Sequence, residues 1–303
     1  MPPTVLEIQP EFLMAARLGG AKASVLRRIG VANLDTGIVN PSSTQPNISH
    51  AAQLTVKLRA LSKSVRGRRR LALLLPDGVA RVNILAFETL PSKVQEREAL
   101  LRWRIKDGLG FPPEESTLSY QITFSDPKTV EVLLVAVKTE ILSQYVAALD
   151  SVGAGAILIL PVTMALLPLL PEDEPGGQLL THVHSGWVTN AIVTGSRLRF
   201  WRSRRLERDG IESATSQALS ESARAVASVR DRMSIKMTRA WYCARPAAED
   251  DLGAALGRIV NCPANPLPSG TGAGASVEAN EKPTFDSFGA PVAGLIMNTG
   301  VFQ

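Results

Sequence analysis

The stretch Val152-Gly-Ala-Gly-Ala-Ile-Leu-Ile-Leu-Pro-Val-Thr-Met-Ala-Leu-Leu-Pro-Leu-Leu-Pro171 carries no charge over about the length of a membrane span. Its three prolines would break an isolated membrane helix, because each lacks an amide proton and clashes with the preceding turn. We therefore expect a buried strand over 156–160, followed by a short apolar helix over 162–167. A continuous apolar strand of this kind is typical of a parallel sheet covered on both faces.

The length and the composition of the chain exclude several classes of protein. The chain has 303 residues, of which 45% are hydrophobic, enough for about two domains with buried cores and too apolar for a largely disordered chain. Its two cysteines, Cys243 and Cys262, have no CxxC or histidine spacing around them, which excludes a zinc ribbon and a disulfide framework. The amino terminus lacks a basic segment followed by an apolar one, so we expect no secretory signal and a cytoplasmic protein.

The net charge of +5 comes from 33 Lys and Arg against 28 Asp and Glu. Two clusters contribute to it, namely Arg66, Arg68, Arg69 and Arg70, and Arg202, Arg204, Arg205 and Arg208. We interpret both clusters first as solvated ends of strands, with a membrane surface or a protein partner as the alternative. Nucleic acid is the least favoured partner, because no helix-turn-helix, zinc-finger or RNP signature is present.

Hydrophobic periodicity divides the chain into groups of strands and helices. Strands are predicted over 4–8, 12–17, 24–32, 71–75, 79–87, 118–124, 130–137, 179–194, 198–202 and 240–243. Helices are predicted from a cap at Ser49 to the first arginine cluster and over 92–109, 142–152, 219–233, 250–256 and 291–297. Since strands precede helices in both halves, we expect two related α/β lobes.

Turn-forming residues mark the boundaries between these parts. The sequence Pro76-Asp77-Gly78 predicts a tight turn and therefore a strand-turn-strand unit over 71–87. The acidic, proline- and glycine-rich segment 171–177 predicts a boundary between lobes. Residues 263–287 are poor in hydrophobic side chains and rich in Pro, Gly and Ser, which predicts a flexible loop.

The sequence contains no complete motif for catalysis or phosphate binding. Gly270-Thr-Gly-Ala-Gly274 contains the glycines of a phosphate loop but lacks a preceding strand. His182 and His184 project from one face of a predicted strand, yet His50 is the only other histidine and no cysteine lies nearby, so we predict no metal site. We interpret the two histidines as surface or interface residues, and no serine nucleophile can be assigned.

Several segments resemble a known family in their order and spacing over nearly the whole chain. They are Leu71-Ala-Leu-Leu-Leu-Pro76, the predicted helix from Pro91-Ser-Lys-Val-Gln-Glu-Arg-Glu to Gly108-Leu-Gly-Phe-Pro112, Val130-Glu-Val-Leu-Leu-Val-Ala-Val137, Gly195-Ser-Arg-Leu-Arg-Phe-Trp-Arg202 and Ala290-Pro-Val-Ala-Gly-Leu-Ile-Met297. Together these segments resemble the type IV pilus assembly protein PilM family, which is related to the division protein FtsA.

The resemblance implies an actin-like, ribonuclease H-like α/β fold of two lobes with a small inserted α+β subdomain. The first lobe would comprise residues 1–70 and 154–175, the inserted subdomain 71–153 and the second lobe 176–303. The short stretch between 210 and 220 implies that the subdomain roofing the cleft on the second lobe is reduced or absent. In the family, ATP lies in the cleft between the lobes, held by two phosphate hairpins and a glycine-rich adenosine loop.

All three nucleotide motifs of the family are degenerate in this chain. The Asp and Gly of the first phosphate hairpin correspond to Glu7 and Gln9, and the second hairpin's Asp-x-Gly corresponds to His182-Val183-His184. A side chain in place of glycine blocks phosphate from backbone amides, and magnesium prefers oxygen ligands to histidine. The degenerate counterparts of the phosphate and adenosine motifs are Glu7, Gln9, His182, His184, Cys243, Ala244 and Arg245. We therefore predict no bound ATP or magnesium, no catalytic residue, and a pseudo-ATPase rather than an enzyme.

The resemblance also implies a role in a membrane-associated machine. PilM-type proteins lie on the cytoplasmic side of the inner membrane and bind the amino-terminal tail of the bitopic protein PilN. We predict a nucleotide-free adaptor of a type IV pilus or related type II secretion platform that holds a PilN-like tail near residues 71–153. A pilus or secretion ATPase, the membrane surface and a second copy of the chain are further predicted contacts. The alternative is a divergent ATP-binding switch or weak ATPase of the same machinery.

Overall fold

The computed structural model describes residues 2–20, 25–65, 70–207, 213–245, 252–268 and 276–297. Its strands are β1 (Thr4–Ile8), β2 (Phe12–Gly19), β3 (Val25–Asn33), β4 (Arg70–Leu75), β5 (Arg81–Phe87), β6 (Ser116–Ser125), β7 (Val130–Lys138), β8 (Gly155–Pro161), β9 (Gly177–His184), β10 (Trp187–Thr194), β11 (Arg197–Arg205), β12 (Met237–Arg245), β13 (Ala264–Pro266) and β14 (Ser276–Val277). Its α-helices are α1 (Ala51–Val65), α2 (Val94–Leu109), α3 (Thr139–Asp150), α4 (Ala214–Met233), α5 (Leu252–Val260), α6 (Lys282–Phe288) and α7 (Ala290–Met297). Within the described ranges, the strands form three sheets.

The sheet of the first lobe has six strands in the order β14-β3-β2-β1-β4-β8. β1, β2 and β3 form an antiparallel meander, and β4 and β8 extend the sheet parallel to β1. Every residue of β1 is buried, because α1 covers one face of the sheet and α7 contributes to the hydrophobic core on the other. The strands predicted over 4–8 and 71–75 are therefore confirmed.

The uncharged stretch 152–171 forms β8 followed by a 3-10 helix, Val162–Leu169, as predicted. β8 lies at the edge of its sheet, however, and Ile157 is half-exposed, so the expectation of a strand covered on both faces is wrong. Helix α7 packs against the 3-10 helix at Gly294, where a Cβ atom would collide with the carbonyl of Ala165. Among the described residues, no helix combines the length and the apolarity that crossing a bilayer requires.

The inserted subdomain contains the antiparallel sheet β5-β7-β6, packed against α2. The strand, turn and strand predicted over 71–87 are present, but the two strands do not pair, because β4 pairs with β1 and β8 in the first lobe whereas β5 pairs with β7. Asp77–Val79 forms one turn of 3-10 helix between them. Helix α3 packs on the first lobe, where the Tyr145 hydroxyl donates to Asn47. The inserted part therefore begins after β4 rather than at residue 71.

The second lobe has five strands in the order β11-β10-β9-β12-β13, with α4 and α5 packed against them. The single strand predicted over 179–194 is wrong, because Ser185 and Gly186 adopt φ values of 44° and 75° and turn the chain between β9 and β10. A Ser-Gly pair is a sequence signal for such a turn. The edge strand β11 also contacts the inserted subdomain, where Arg197 and Arg199 form ion pairs with Glu131 of β7.

The last described segment of the chain crosses back to the first lobe. β14 pairs with β3, and α6 and α7 contribute to the hydrophobic core between the lobes. The second lobe, predicted as 176–303, therefore ends before β14. The flexible loop predicted over 263–287 contains β13, β14 and most of α6 among its described residues, because the fully buried Phe285 anchors α6. The glycine segment 270–274 lies outside the described residues.

Candidate functional site

The two lobes are joined by a continuous set of buried hydrogen bonds and ion pairs, which we call the inter-lobe network. Its members are Glu7, Gln9, Asp77 and Thr163 from the first lobe and His182, His184, Thr189 and Arg245 from the second. The first-lobe members lie at or just beyond the carboxyl ends of the parallel strands β1, β4 and β8. The carboxyl ends of β9 and β12 face them from the second lobe, so the fold brings polar side chains together where ligands of α/β sheets commonly bind.

The ion pair between Glu7 and Arg245 links β1 of one lobe to β12 of the other. Nη1 and Nη2 of Arg245 donate to Oε2 and Oε1 of Glu7, each over 2.8 Å, and both side chains are almost inaccessible to solvent. Gln9 Nε2 donates a further bond to Glu7 Oε1 over 2.9 Å. Burial would lower the pKa of Arg245, but the charge and hydrogen bonds of Glu7 raise it. The guanidinium therefore stays charged and holds the carboxylate in a bidentate geometry.

Arg245 determines the tautomer of His182. Arg245 Nε can only donate, so His182 Nε2, at 3.3 Å, accepts and carries no proton. The ring proton therefore lies on Nδ1, which donates to Thr163 Oγ1 over 2.6 Å, and the Thr163 hydroxyl donates in turn to Asp77. Burial, together with the nearby charges of His184 and Arg245, lowers the pKa of His182 well below its ordinary value. His182 is thus a neutral connector between the guanidinium and the Asp77 carboxylate.

Asp77 is the second buried carboxylate of the network and accepts four hydrogen bonds. The donors are the Thr163 amide at 3.0 Å, the Thr163 hydroxyl, the Thr189 hydroxyl at 2.7 Å and His184 Nε2 at 3.0 Å. Burial would raise the pKa of Asp77, but the hydrogen bond and charge of His184, followed by the bonds from Thr163, lower it. The carboxylate stays ionised and ties the end of β4 to β9 and β10.

An open cleft of about 720 Å3 lies beside the network and is bordered by the turns of two hairpins. The turn between β1 and β2 presents Pro10 and Glu11 to this cleft, so it offers a residue without an amide proton and a carboxylate. The turn between β9 and β10 contributes Ser185 and Gly186. Since Glu11 repels anions and the first turn has no glycine, these residues do not fit the phosphates of ATP.

Five of the seven predicted counterpart residues belong to the network, namely Glu7, Gln9, His182, His184 and Arg245. The two histidines are buried at an interface between lobes, and they lie in β9, before the Ser185-Gly186 turn rather than in it. The other two counterparts, Cys243 and Ala244, lie in β12 and pair in register with His182 and Val183 of β9. Burial raises the pKa of the Cys243 thiol to about 11, so the thiol is protonated at neutral pH.

Three members of the network, Asp77, Thr163 and Thr189, were not predicted from the sequence. Asp77 was interpreted only as a turn residue, although its place directly after the fully apolar strand β4 was a signal for a polar group at a sheet edge. Thr163 follows β8 in the same way. Thr189 carries no comparable signal, because it lies within β10 and meets Asp77 only through the packing of the two lobes.

Asp77, His182 and His184 stand close enough to share a cation, with candidate ligand atoms all within 4.8 Å of one another. The hydrogen bonds of these side chains compete with coordination of a cation. Nδ1 of His182 carries the proton that Thr163 accepts, and Oδ2 of Asp77 accepts from Thr163, Thr189 and His184. The neighbouring guanidinium of Arg245 would also repel a cation. The donor set therefore does not fit a metal ion, and the absence of a metal site stays a prediction.

Comparison with solved structures places this architecture among actin-like proteins. A chain of the "PilM-PilN type IV pilus biogenesis complex" has a TM-score of 0.81 and 14% sequence identity, with 99% of both chains covered. A protein of actin-like ATPase fold and unknown function from Bacteroides thetaiotaomicron has a TM-score of 0.57 and 9% identity over 97% of this chain and 94% of that chain. The ethanolamine utilization protein EutJ from Carboxydothermus hydrogenoformans has a TM-score of 0.51 and 8% identity over 98% and 90%, respectively.

No protein-family model matches the sequence, and no curated protein matches it. At identities of 8–14%, the structural matches establish the fold. The chain has an actin-like fold, and the resemblance to the PilM family that the sequence segments indicated is confirmed at the level of that fold.

Proposed function

We propose that this chain, which shares the fold of PilM, is a nucleotide-free adaptor of a type IV pilus or related type II secretion platform. It binds the cytoplasmic tail of a PilN-like bitopic protein and is held by that tail at the cytoplasmic face of the inner membrane. It has no ATPase activity of its own and connects the tail to other components of the platform.

The observation that carries the proposal is the inter-lobe network. In the family that the sequence resembles, ATP bridges the lobes through motifs whose counterparts here include Glu7, His182 and Arg245. In this chain, these side chains bond to one another across the cleft, so the lobes are joined without a ligand. Phosphate would meet the carboxylates of Glu7 and Glu11, and magnesium would meet the guanidinium of Arg245. A pair of lobes joined without a ligand suits a scaffold better than a nucleotide-driven switch.

A surface suited to the tail lies at the edge of the first lobe, where helix α3 leads the chain from the inserted subdomain into β8. β8 is the edge strand of the first sheet, so its outer backbone groups are available to an added strand. Helix α3 packs beside β8, and Ile157 of β8 and Val146 of α3 are exposed apolar side chains. An extended peptide with apolar side chains would gain both backbone hydrogen bonds and side-chain contacts there.

Calorimetric titration with ATP and magnesium tests the nucleotide-free part of the proposal. We expect no binding heat and no change in melting temperature, because the network occupies the groups that would contact the phosphates. Micromolar affinity for ATP would contradict the proposal and favour the divergent ATP-binding switch.

Fluorescence anisotropy with labelled amino-terminal tails of bitopic proteins encoded beside this chain tests the adaptor part. Ile157→Lys should weaken binding of the cognate tail at least about tenfold, since about 1.4 kcal/mol of contact is lost. Val56→Lys on α1, an equally drastic change at another exposed apolar position, should leave binding unchanged. The adaptor role fails if the chain binds none of the tails, and the proposed surface fails if Ile157→Lys binds as the wild type does.

A further inference from the structure

The edge strand β11 carries two kinds of arginine. Its paired arginines are Arg197 and Arg199, which contact Glu131, and Arg202, which contacts Glu221. The last two residues of the strand, Arg204 and Arg205, are exposed and form no ion pair with any residue that the structure describes. These unpaired arginines belong to the second of the clusters seen in the sequence, and the proposed function does not use them.

Arg81, the first residue of β5, adds a third unpaired arginine to the same place. It is exposed and likewise has no ion pair within the described ranges. Partial loss of contact with water, followed by the nearby charge of Arg204, lowers the pKa of Arg81, as expected for two neighbouring guanidinium groups. Asp77 lies close by, but its carboxylate is already taken up by the inter-lobe network. Among the residues that the structure describes, no carboxylate forms an ion pair with Arg81, Arg204 or Arg205.

The three arginines line a groove of about 360 Å3 where both lobes and the inserted subdomain meet. The loop Ser42, Ser43 and Thr44 forms another wall and supplies hydroxyl groups, and the indole of Trp187 forms part of the lining. The groove adjoins the cleft of about 720 Å3, because Pro41, Trp187 and Arg205 line both. The groove with the three arginines is the more basic of the two recesses, since the larger cleft also contains Glu11 and Glu207.

We propose that this groove docks an acidic segment of a partner polypeptide. Guanidinium groups bind carboxylates through two parallel hydrogen bonds, and uncompensated arginines in a recess favour anions that can enter it. The arginines stand on two different elements, β5 and β11, so they match carboxylates spaced along an extended chain. A flat bilayer surface does not enter a groove, which favours a polypeptide over a membrane as the occupant.

The test uses the full chain and a fluorescein-labelled octaglutamate peptide in anisotropy titrations at low ionic strength. We expect saturable binding that weakens as salt rises to about 0.5 M, because the Debye length shrinks and screens the exposed charges. The variant Arg204→Glu/Arg205→Glu should bind roughly a hundredfold more weakly, at about tenfold for each charge-assisted contact. The matched control Arg230→Glu/Arg232→Glu, with the same charge change at the exposed end of α4, should bind as the wild type does.

Any of three other outcomes would overturn the proposal. If both double variants lose binding equally, the attraction is a property of net charge and not of the groove. Competition by inorganic pyrophosphate at equal charge concentration would assign the groove to a phosphate ligand, and sedimentation with phosphatidylglycerol vesicles that depends on Arg204 and Arg205 would assign it to a membrane. Because all substituted positions are exposed, we expect unchanged melting temperatures. This measurement checks that each variant is folded. Tail binding at β8 is independent of this groove and should be unaffected by Arg204→Glu/Arg205→Glu.

Discussion

Replacing Arg245 with methionine tests the inter-lobe network most directly. Methionine keeps an unbranched apolar stem and removes the guanidinium. Within the described ranges, this leaves Gln9 as the remaining side-chain partner of the buried Glu7 carboxylate. We expect the Arg245→Met variant to lose about 4 kcal/mol of folding free energy, because removing one partner of a buried ion pair typically costs about 3–5 kcal/mol.

The contacts of Arg245 explain why we expect a loss of folding free energy of this size. Both 2.8 Å bonds between Arg245 and Glu7 are lost, and the Glu7 side chain has 0% exposure, so solvent does not replace them. The 3.3 Å bond to His182 is lost as well and contributes about 1 kcal/mol. At the roughly 2 °C per kcal/mol usual for large domains, 4 kcal/mol corresponds to a fall of about 8 °C in melting temperature.

The assay is urea unfolding followed by circular dichroism, on a double-mutant cycle. Glu7→Gln/Arg245→Met removes both charges, so we expect it to recover about 3 kcal/mol relative to Arg245→Met alone. The coupling energy between the two positions then measures the cost of an unpaired buried charge, separately from any loss of packing.

Two results would refute this reasoning. A loss below about 1 kcal/mol for Arg245→Met would mean that the pair is solvated and that the lobes do not depend on it. A double variant as unstable as the single one would mean that lost packing, rather than an unpaired charge, causes the effect.

Acid should destabilise the fold through His182, because its pKa is lowered in the native state. Below about pH 6.5 the imidazole of the unfolded chain takes up a proton, whereas the native imidazole stays neutral, so the free energy of unfolding should fall by up to about 1.4 kcal/mol per pH unit from pH 6.5 to 5. Urea titrations at several pH values measure this slope, and His182→Gln should flatten it. Gly294→Ala should cost roughly 1–3 kcal/mol because a Cβ has no room there, whereas Gly108→Ala, at an open position of α2, should stabilise by about 0.4–1 kcal/mol in the same assay. In a Cys262→Ser background, Cys243 should react with a thiol reagent roughly a hundredfold more slowly than free cysteine at pH 7.5, because its raised pKa leaves less thiolate, and a rate equal to that of free cysteine would contradict the raised pKa.

The sequence predicted most of the elements because their side-chain patterns are local. Apolar runs identified β1 and β4, and the prolines of 152–171 correctly separated a strand and a short helix from a membrane span. Two features needed more than the apolar pattern. β4 and β5 are neighbours in sequence but belong to different sheets, and the Ser185-Gly186 turn signal was overlooked because apolar residues continue on both sides of it.

The sequence predicted which residues belong to the site but not how they contact one another. Glu7, Gln9, His182, His184 and Arg245 were selected because they replace residues that the PilM resemblance implies for nucleotide binding. Their bonds to one another could not be predicted, because Glu7 and Arg245 are separated by 237 intervening positions and meet only when β1 and β12 approach from opposite lobes.

The sequence by itself determined the class of fold and the degeneracy of the nucleotide motifs, because both depend on residue type and local spacing. Only the tertiary structure decided that the degenerate residues form one buried network, that Asp77 and Thr163 complete it, and that Arg81, Arg204 and Arg205 share a groove. The physical reason is that the charge on a buried group is tolerated only where a partner stands within hydrogen-bonding distance. In this chain, those partners come from strands far apart in sequence, and the packing of the lobes brings them together.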